Sequence, residues 1–266
     1  MLLPLPAPYD LALSTERFRA FGADPANLWH EGGLHRVVGG REVRIEPAPG
    51  GVDVEPLDDA TRPVVETLLG LPFALEPFYA WAAGEPALAP LVTRLPGFRP
   101  PLVPDPFEAL VSSICSQQVS LFSAFAMRAR LIERYGIRGV HAHAFPTRER
   151  LASLADADLL ALGFSRRKAE YVLDLARSDL DLDALAALPD DEVRGAIVAR
   201  RGLGPWTAEW FLARHLARPT AWPAGDLALR KAVAAFYADD VDAVGRRLDP
   251  FQNLAAHYLL TGSRVP

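Results

Sequence analysis

Arg200-Arg201-Gly202-Leu203-Gly204-Pro205-Trp206-Thr207-Ala208 is the stretch whose reading decides the architecture of this chain. Acidic residues at 190–192 and the apolar Val193, Ala196 and Ile197 precede it, and Glu209-Trp210-Phe211 follow. The pattern predicts a helix over 190–200, a tight Gly-Leu-Gly turn, and a second helix over 205–217 with Pro205 at its first position. Two glycines give the turn backbone freedom and let its amides approach a ligand closely. Leu203 is expected to point inward and pin the turn. The open N-terminus of the second helix presents unpaired N–H donors with a favourable dipole, which suits an anion such as a DNA phosphate. On these residues alone an ordinary helix–turn–helix corner is equally admissible, since glycine commonly ends helices.

Downstream, Trp222-Pro223-Ala224-Gly225-Asp226-Leu227 places an aspartate at the start of a predicted helix over 227–237. An aspartate there is ordinarily an N-cap. Upstream, Asp105-Pro106-Phe107-Glu108 is a helix start, with an Asp N-cap, proline at N1 and Glu at N3. Phe107, Leu110, Val111 and Ile114 then share one face. Ser116-Gln117-Gln118 interrupts that stripe. Ser120 is placed to cap a helix ending at Gly136. Further helices are expected at 148–161, 166–177 and 250–261, and no strand beyond residue 105.

The first hundred residues read differently. Residues 34–38, 42–46 and 52–55 alternate apolar and polar, separated by Gly39-Gly40 and Pro49-Gly50-Gly51, which predicts a meander of short antiparallel strands. Residues 61–69 carry a helical stripe. The proline-dense Pro96-Gly97-Phe98-Arg99-Pro100-Pro101 marks a boundary. The expected fold class is therefore α+β: a β-containing unit over 1–100, then a mainly helical region over 101–266, with the hairpin at 190–217 and the acidic loop at 222–231.

Composition bounds the chemistry. The chain has 266 residues, half of them hydrophobic, enough for one large or two modest cores. No run of about 18 apolar residues exists, so no membrane span is expected, and the first residues lack the pattern of a secretory leader. Cys115 is the single cysteine, which rules out an intrachain disulfide or a four-cysteine metal site. A reduced, cytoplasmic, nucleoid-associated monomer is the simplest expectation. The net charge of −5 argues against a nucleic-acid partner, but it resides entirely in residues 1–104; residues 105–266 balance 20 basic against 20 acidic residues. Twenty-six of the 28 basic residues are arginines, whose forks suit phosphate. The pairs at 166–167, 200–201 and 246–247, with Arg230-Lys231, lie beside turns, although surface charge is the usual role of such pairs.

The string Leu203-Gly204-Pro205-Trp206-Thr207-Ala208, followed by the Pro/Gly loop and Asp226, resembles the helix-hairpin-helix (HhH-GPD) DNA glycosylase superfamily. Within it the chain is similar to the 3-methyladenine DNA glycosylase II type. That likeness rests also on Asp105-Pro106-Phe107-Glu108 with Gln117-Gln118-Val119-Ser120, on residues 162–169, and on Pro250-Phe251 with Ala255-Ala256-His257-Tyr258. It implies a helical fold with a cleft between two helical subdomains. It also implies a cofactor-free glycosylase that hydrolyses the N-glycosidic bond of alkylated bases in double-stranded DNA during base excision repair. Asp226 would be the catalytic carboxylate, stabilising an oxocarbenium-like sugar and orienting or deprotonating water. A helix N-terminus favours the charged form of such a group.

By the same resemblance Trp206, Trp210 and Leu260 line the base pocket, though core packing explains two tryptophans on a helix equally. An aromatic face would attract a cationic alkylated purine. Gly202, Leu203, Gly204 and Thr207 would grip the strand. Gln117 or Gln118 would fill the gap left by the flipped base, or simply be polar turn residues. Strand-cleaving members place a lysine where this chain has Trp206, so a monofunctional enzyme is implied; Lys231 is expected to face solvent or phosphate. The family's C-terminal aromatic is Leu260 here, and a common Trp-Arg pair is Phe251-Gln252, which implies an altered pocket. No side-chain metal site is expected; a main-chain monovalent cation at 202–204 is implied by the resemblance alone. A non-catalytic DNA-binding module, and the same fold aimed at hypoxanthine or ethenoadenine, are the competing readings.

Overall fold

The structure, a computed structural model, describes residues 1–265. The N-terminal part is a five-stranded antiparallel sheet. Its strands are β1 (Leu2–Pro4), β2 (Leu28–His30), β3 (Gly33–Val38), β4 (Arg41–Ala48) and β5 (Gly51–Glu55), in the order β1-β5-β4-β3-β2. The meander over 34–55 lies where alternation predicts it, with Leu34 opposite Ile45 and Ile45 opposite Val54. Those three side chains are fully buried on one face. The three-residue strands β1 and β2 carry too short a pattern to be read from sequence.

Beyond residue 105 the described residues form helices only, apart from one isolated bridge between Arg138 and His143. The expected helices are present, most with ends shifted by a residue or two; the second hairpin helix stops at Arg214, three residues short of expectation. One expected element is split. Residues 148–161 form two short helices, Arg148–Ala152 and Asp156–Leu160, because the Asp158 carboxylate accepts the Ala155 N–H at 2.8 Å and opens a new helical start.

Buried side chains form two clusters. One joins the sheet to residues up to Leu69; the other begins at Phe73 and runs through the helices to Leu260. The segment 73–98, grouped with the strands in the sequence reading, thus sends its apolar side chains into the helical core. A buried ionic chain ties the two parts together. Arg36 on β3 donates to Asn27 and to Glu108, and Arg128 on the helix Leu121–Tyr135 donates to Glu108 and Asp24. Glu108 is the N3 residue that resembled half of a capping box. Asp105 does cap the helix Pro106–Ser116, accepting the Glu108 N–H at 2.6 Å, but the Glu108 side chain turns inward and is 1 % exposed.

Candidate active site

Asp226 is the N-cap of the helix Leu227–Tyr237. Its Oδ1 accepts the N–H groups of Ala228 at 2.9 Å and Leu229 at 3.0 Å. Its Oδ2 accepts the indole Nε1–H of Trp206 at 2.9 Å and of Trp210 at 3.0 Å. The two functions weighed for this residue, helix cap and site carboxylate, are therefore divided between its two oxygens. Trp206 and Trp210 stand one turn apart on the second hairpin helix, Pro205–Arg214, so both indoles reach the same oxygen. Four donors fix the carboxylate in one orientation, and each such charge-assisted bond contributes on the order of 1.5–3 kcal/mol.

The tryptophans are not equivalent. Trp206 is half-buried, whereas Trp210 is only 3 % exposed. The Arg214 guanidinium lies over the Trp210 ring, 3.6 Å from its centroid, and His257 meets the ring edge-on at 5.9 Å. The expectation that Trp210 offers an open aromatic face to a base needs correction, because that face is covered by a cation from the same chain. Arg214 follows Trp206 and Trp210 at positions i, i+4 and i+8, a stripe that sequence periodicity could have revealed. Leu260 is buried in the C-terminal helix Gln252–Gly262, and the side chain of that helix which reaches Trp210 is His257, one turn earlier.

The hairpin is built as its glycines require. Gly202 has φ +83°, and a Cβ there would fall 2.2 Å from the Tyr171 ring, so only glycine fits. Leu203 is buried at 3 % and pins the turn as expected. Gly204 adopts an extended conformation that any residue can take; a Cβ there would meet open space. Among the described residues no acceptor meets the amides of Gly202, Gly204 or Trp206, which leaves donors free at the helix start. Thr207 differs from expectation: its side chain is 1 % exposed and its N–H already donates to the Gly204 carbonyl at 2.9 Å, so it packs the hairpin rather than presenting a donor.

Gln117 donates from its amide to the Gly202 carbonyl at 2.8 Å and so braces the turn. Gln118 instead is exposed in the left-handed region, with φ 54°, beside the exposed Val119, Leu121 and Phe122. Of the two glutamines only Gln118 is free to enter a duplex. The basic pair at the turn is largely neutralised: Arg200 pairs with Asp179, and Arg201 with Glu170 and Asp174. Lys168 is buried and donates to the Cys115 carbonyl at 2.8 Å, closing the helix Pro106–Ser116. Lys231 is exposed, as expected.

For the main-chain cation, the carbonyls of Val198 and Leu203 accept no hydrogen bond among the described residues and border an open hollow lined by Val198 to Gly204. Hard oxygens at a helix C-terminus suit a cation. These residues fit such an ion, which would lend the turn positive charge toward a phosphate. No group of three or more His, Cys, Asp or Glu side chains among the described residues is arranged to hold a metal.

The HhH-GPD superfamily base excision DNA repair protein profile matches residues 111–246. A DNA-3-methyladenine glycosylase of Bacillus subtilis is 32 % identical over 163 residues, 58 % of this chain and 54 % of the relative. A probable bifunctional transcriptional activator/DNA repair enzyme AlkA of Mycobacterium tuberculosis is 35 % identical over 202 residues, 71 % of this chain and 40 % of the relative. Among solved structures, a 3-methyladenine DNA-glycosylase from Archaeoglobus fulgidus superposes with a TM-score of 0.90 at 26 % identity, covering 100 % of this chain and 99 % of that one. The chain spans about half the length of the Bacillus relative.

Proposed function

The chain belongs to the HhH-GPD superfamily of base excision DNA repair proteins, and from that premise we propose that it is a monofunctional DNA glycosylase acting on alkylated bases of the 3-methyladenine type in double-stranded DNA. The observation that carries this reading is the Asp226 carboxylate, held by Trp206 and Trp210 on the helix that opens at the hairpin. In this reading the free amides of Gly202, Gly204 and Trp206 take a backbone phosphate. The damaged nucleotide leaves the stack and Gln118 fills its place.

Asp226 then faces C1′. As the bond to the base breaks, positive charge grows on the sugar, and the fixed carboxylate stabilises it without reorganising. Water attacks C1′, with Asp226 accepting or directing its proton. With Trp206 where a Schiff-base lysine would stand, no covalent enzyme–sugar bond forms. Leu260 packs behind the pocket, and the enzyme works as a monomer on nucleoid DNA without a cofactor.

The test is release of free bases from methylated duplex DNA, read by mass spectrometry, for the natural chain and for Asp226→Asn. Release that disappears in the variant while DNA binding persists supports the reading; comparable release by both ends it. A non-catalytic DNA-binding module is the second reading. It is favoured by the covered face of Trp210 and the fully occupied Asp226, and binding without release from any lesion would establish it.

A further inference from the structure

Two guanidiniums near the candidate site have no acceptor. Arg214 makes no side-chain hydrogen bond or ion pair among the described residues, and its Nε is buried and unsatisfied. Arg17, from the short helix Arg17–Ala20 of the N-terminal part, likewise makes none, and its guanidinium stands 5.8 Å from the Phe125 ring. It borders an internal cavity of about 60 Å³ shared with Ser112 and Ser116, so it faces space rather than an acceptor. Ser116 adjoins the Gln117-Gln118 turn, which connects this cavity to the exposed loop. His257 adds a third unpartnered group, its buried Nε2 without a partner.

The groups sense one another. Burial first and the charge of Arg17 next push the Arg214 pKa well below the usual arginine range, while Asp226 opposes the shift. Burial and Arg264 lower Arg17 to about 10. Burial, then Arg214 and Arg17, depress His257 well below the usual histidine range. Buried donors left without acceptors are rare in folded proteins and call for an explanation such as a ligand.

We propose that Arg214 and Arg17 form a wall that reads an oxo acceptor on the extruded base and stabilises a base departing as an anion, so that the pocket favours neutral oxo-bearing lesions over cationic alkyladenines. This rests on the glycosylase reading and names its substrate class. The chemistry follows from charge. A cationic alkylpurine leaves as a neutral molecule, and two guanidiniums oppose its approach. A neutral oxopurine leaves with the electron pair of the broken C1′–N9 bond, and its negative charge spreads onto the oxo oxygen. There a guanidinium fork donates, as it does to the O6 edge of guanine. Water supplies the oxygen that bonds to C1′; its proton passes by way of Asp226 or solvent, and the released base anion takes a proton from solvent.

The experiment measures single-turnover release of hypoxanthine, the neutral oxo probe, and of 3-methyladenine, the cationic one, each relative to its spontaneous loss. The natural chain, Arg214→Met, Arg214→Lys and Arg17→Met are compared, with thermal melting as the folding control. In Arg214→Met the ratio of hypoxanthine to 3-methyladenine enhancement should fall about 10- to 100-fold, the range of a lost charge-assisted contact. Arg214→Lys should restore part of it. If Arg214→Met does not fold, Arg17→Met carries the test with the same expected direction. A ratio within about threefold of the natural chain in the folded variants overturns the inference while leaving the glycosylase reading standing. No release of either base by the natural chain overturns both.

Discussion

Asp226→Asn replaces an acceptor-only group by one that accepts at a single oxygen, and the structure shows what that does. The carboxylate serves two pairs of donors: the Ala228 and Leu229 amides at Oδ1, and the Trp206 and Trp210 indoles at Oδ2. The asparagine oxygen can serve one pair. If it keeps the helix cap, for which Asn matches Asp, its NH2 group points at two indole N–H groups and leaves them unpaired. A stranded buried donor costs about 1–3 kcal/mol. Trp210 is buried and takes the full penalty; Trp206 is half-buried and water relieves much of its share. The expected destabilisation is about 3 kcal/mol, which for a chain of this size lowers the Tm by roughly 6–12 °C. Base release should fall by at least about 100-fold. The assay is a melting curve beside single-turnover release. Adding Trp210→Phe to Asp226→Asn removes one stranded donor and should cost less than the sum of the two single changes, although release stays lost. A variant that melts within about 1 °C of the natural chain would refute the four-donor geometry, whatever its activity.

Other expectations follow from the same contacts. Gly202→Ala places a methyl group inside the Tyr171 ring at a positive φ, so DNA affinity should weaken more than tenfold and the melting point drop, as a filter-binding titration and a melt would show. Burial pulls the Asp24 carboxyl upward, but Arg128 and the Asn27 amide overcome it and hold it below the usual range. Its stabilising share is therefore present above the unfolded carboxyl pKa and lost as pH falls through the folded value. Urea midpoints should decline below about pH 4, and less steeply in Asp24→Asn. Glu108→Ala leaves Arg36 and Arg128 without their shared partner and should cost about 3–5 kcal/mol in denaturant titration. Burial pushes the Cys115 thiol up to about 12, so a thiol reagent should label it only after unfolding.

What could be read from sequence was local. Gly202, Gly204 and Pro205 act through their own backbone, so the hairpin was legible in nine residues. The sheet meander was legible because Leu34, Val43, Ile45, Val52 and Val54 keep strict alternation against a buried face. The helix start at Asp105 was legible too, but the destination of Glu108 was not, because its partners Arg36 and Arg128 lie 72 and 20 residues away. Composition likewise missed that the basic pair at 200–201 is answered by acids on the preceding long helix.

The site divides along the same line, and the division bears on specificity. Asp226 and the two tryptophans were found by their spacing, yet the role of the indoles was misjudged. Aromatic faces suggested a seat for a cation, whereas the contacts with Asp226 run through the indole edges and a face of Trp210 is covered by Arg214. A stacked cation held by an aromatic contributes roughly 0.5–2 kcal/mol, and a competing cationic base would have to displace Arg214 to gain the same amount. The net gain from that exchange is near zero, so the ring cannot be the source of a preference for charged lesions. Preference must come from what the guanidiniums and His257 accept or repel, and those side chains come from three elements far apart in the chain, at residues 17, 214 and 257. Replacing Arg214 with Met should therefore shift relative rates between lesions of different charge rather than scale them together. A uniform loss across cationic and neutral lesions would mean that Arg214 only props up Trp210, and that lesion charge is read elsewhere.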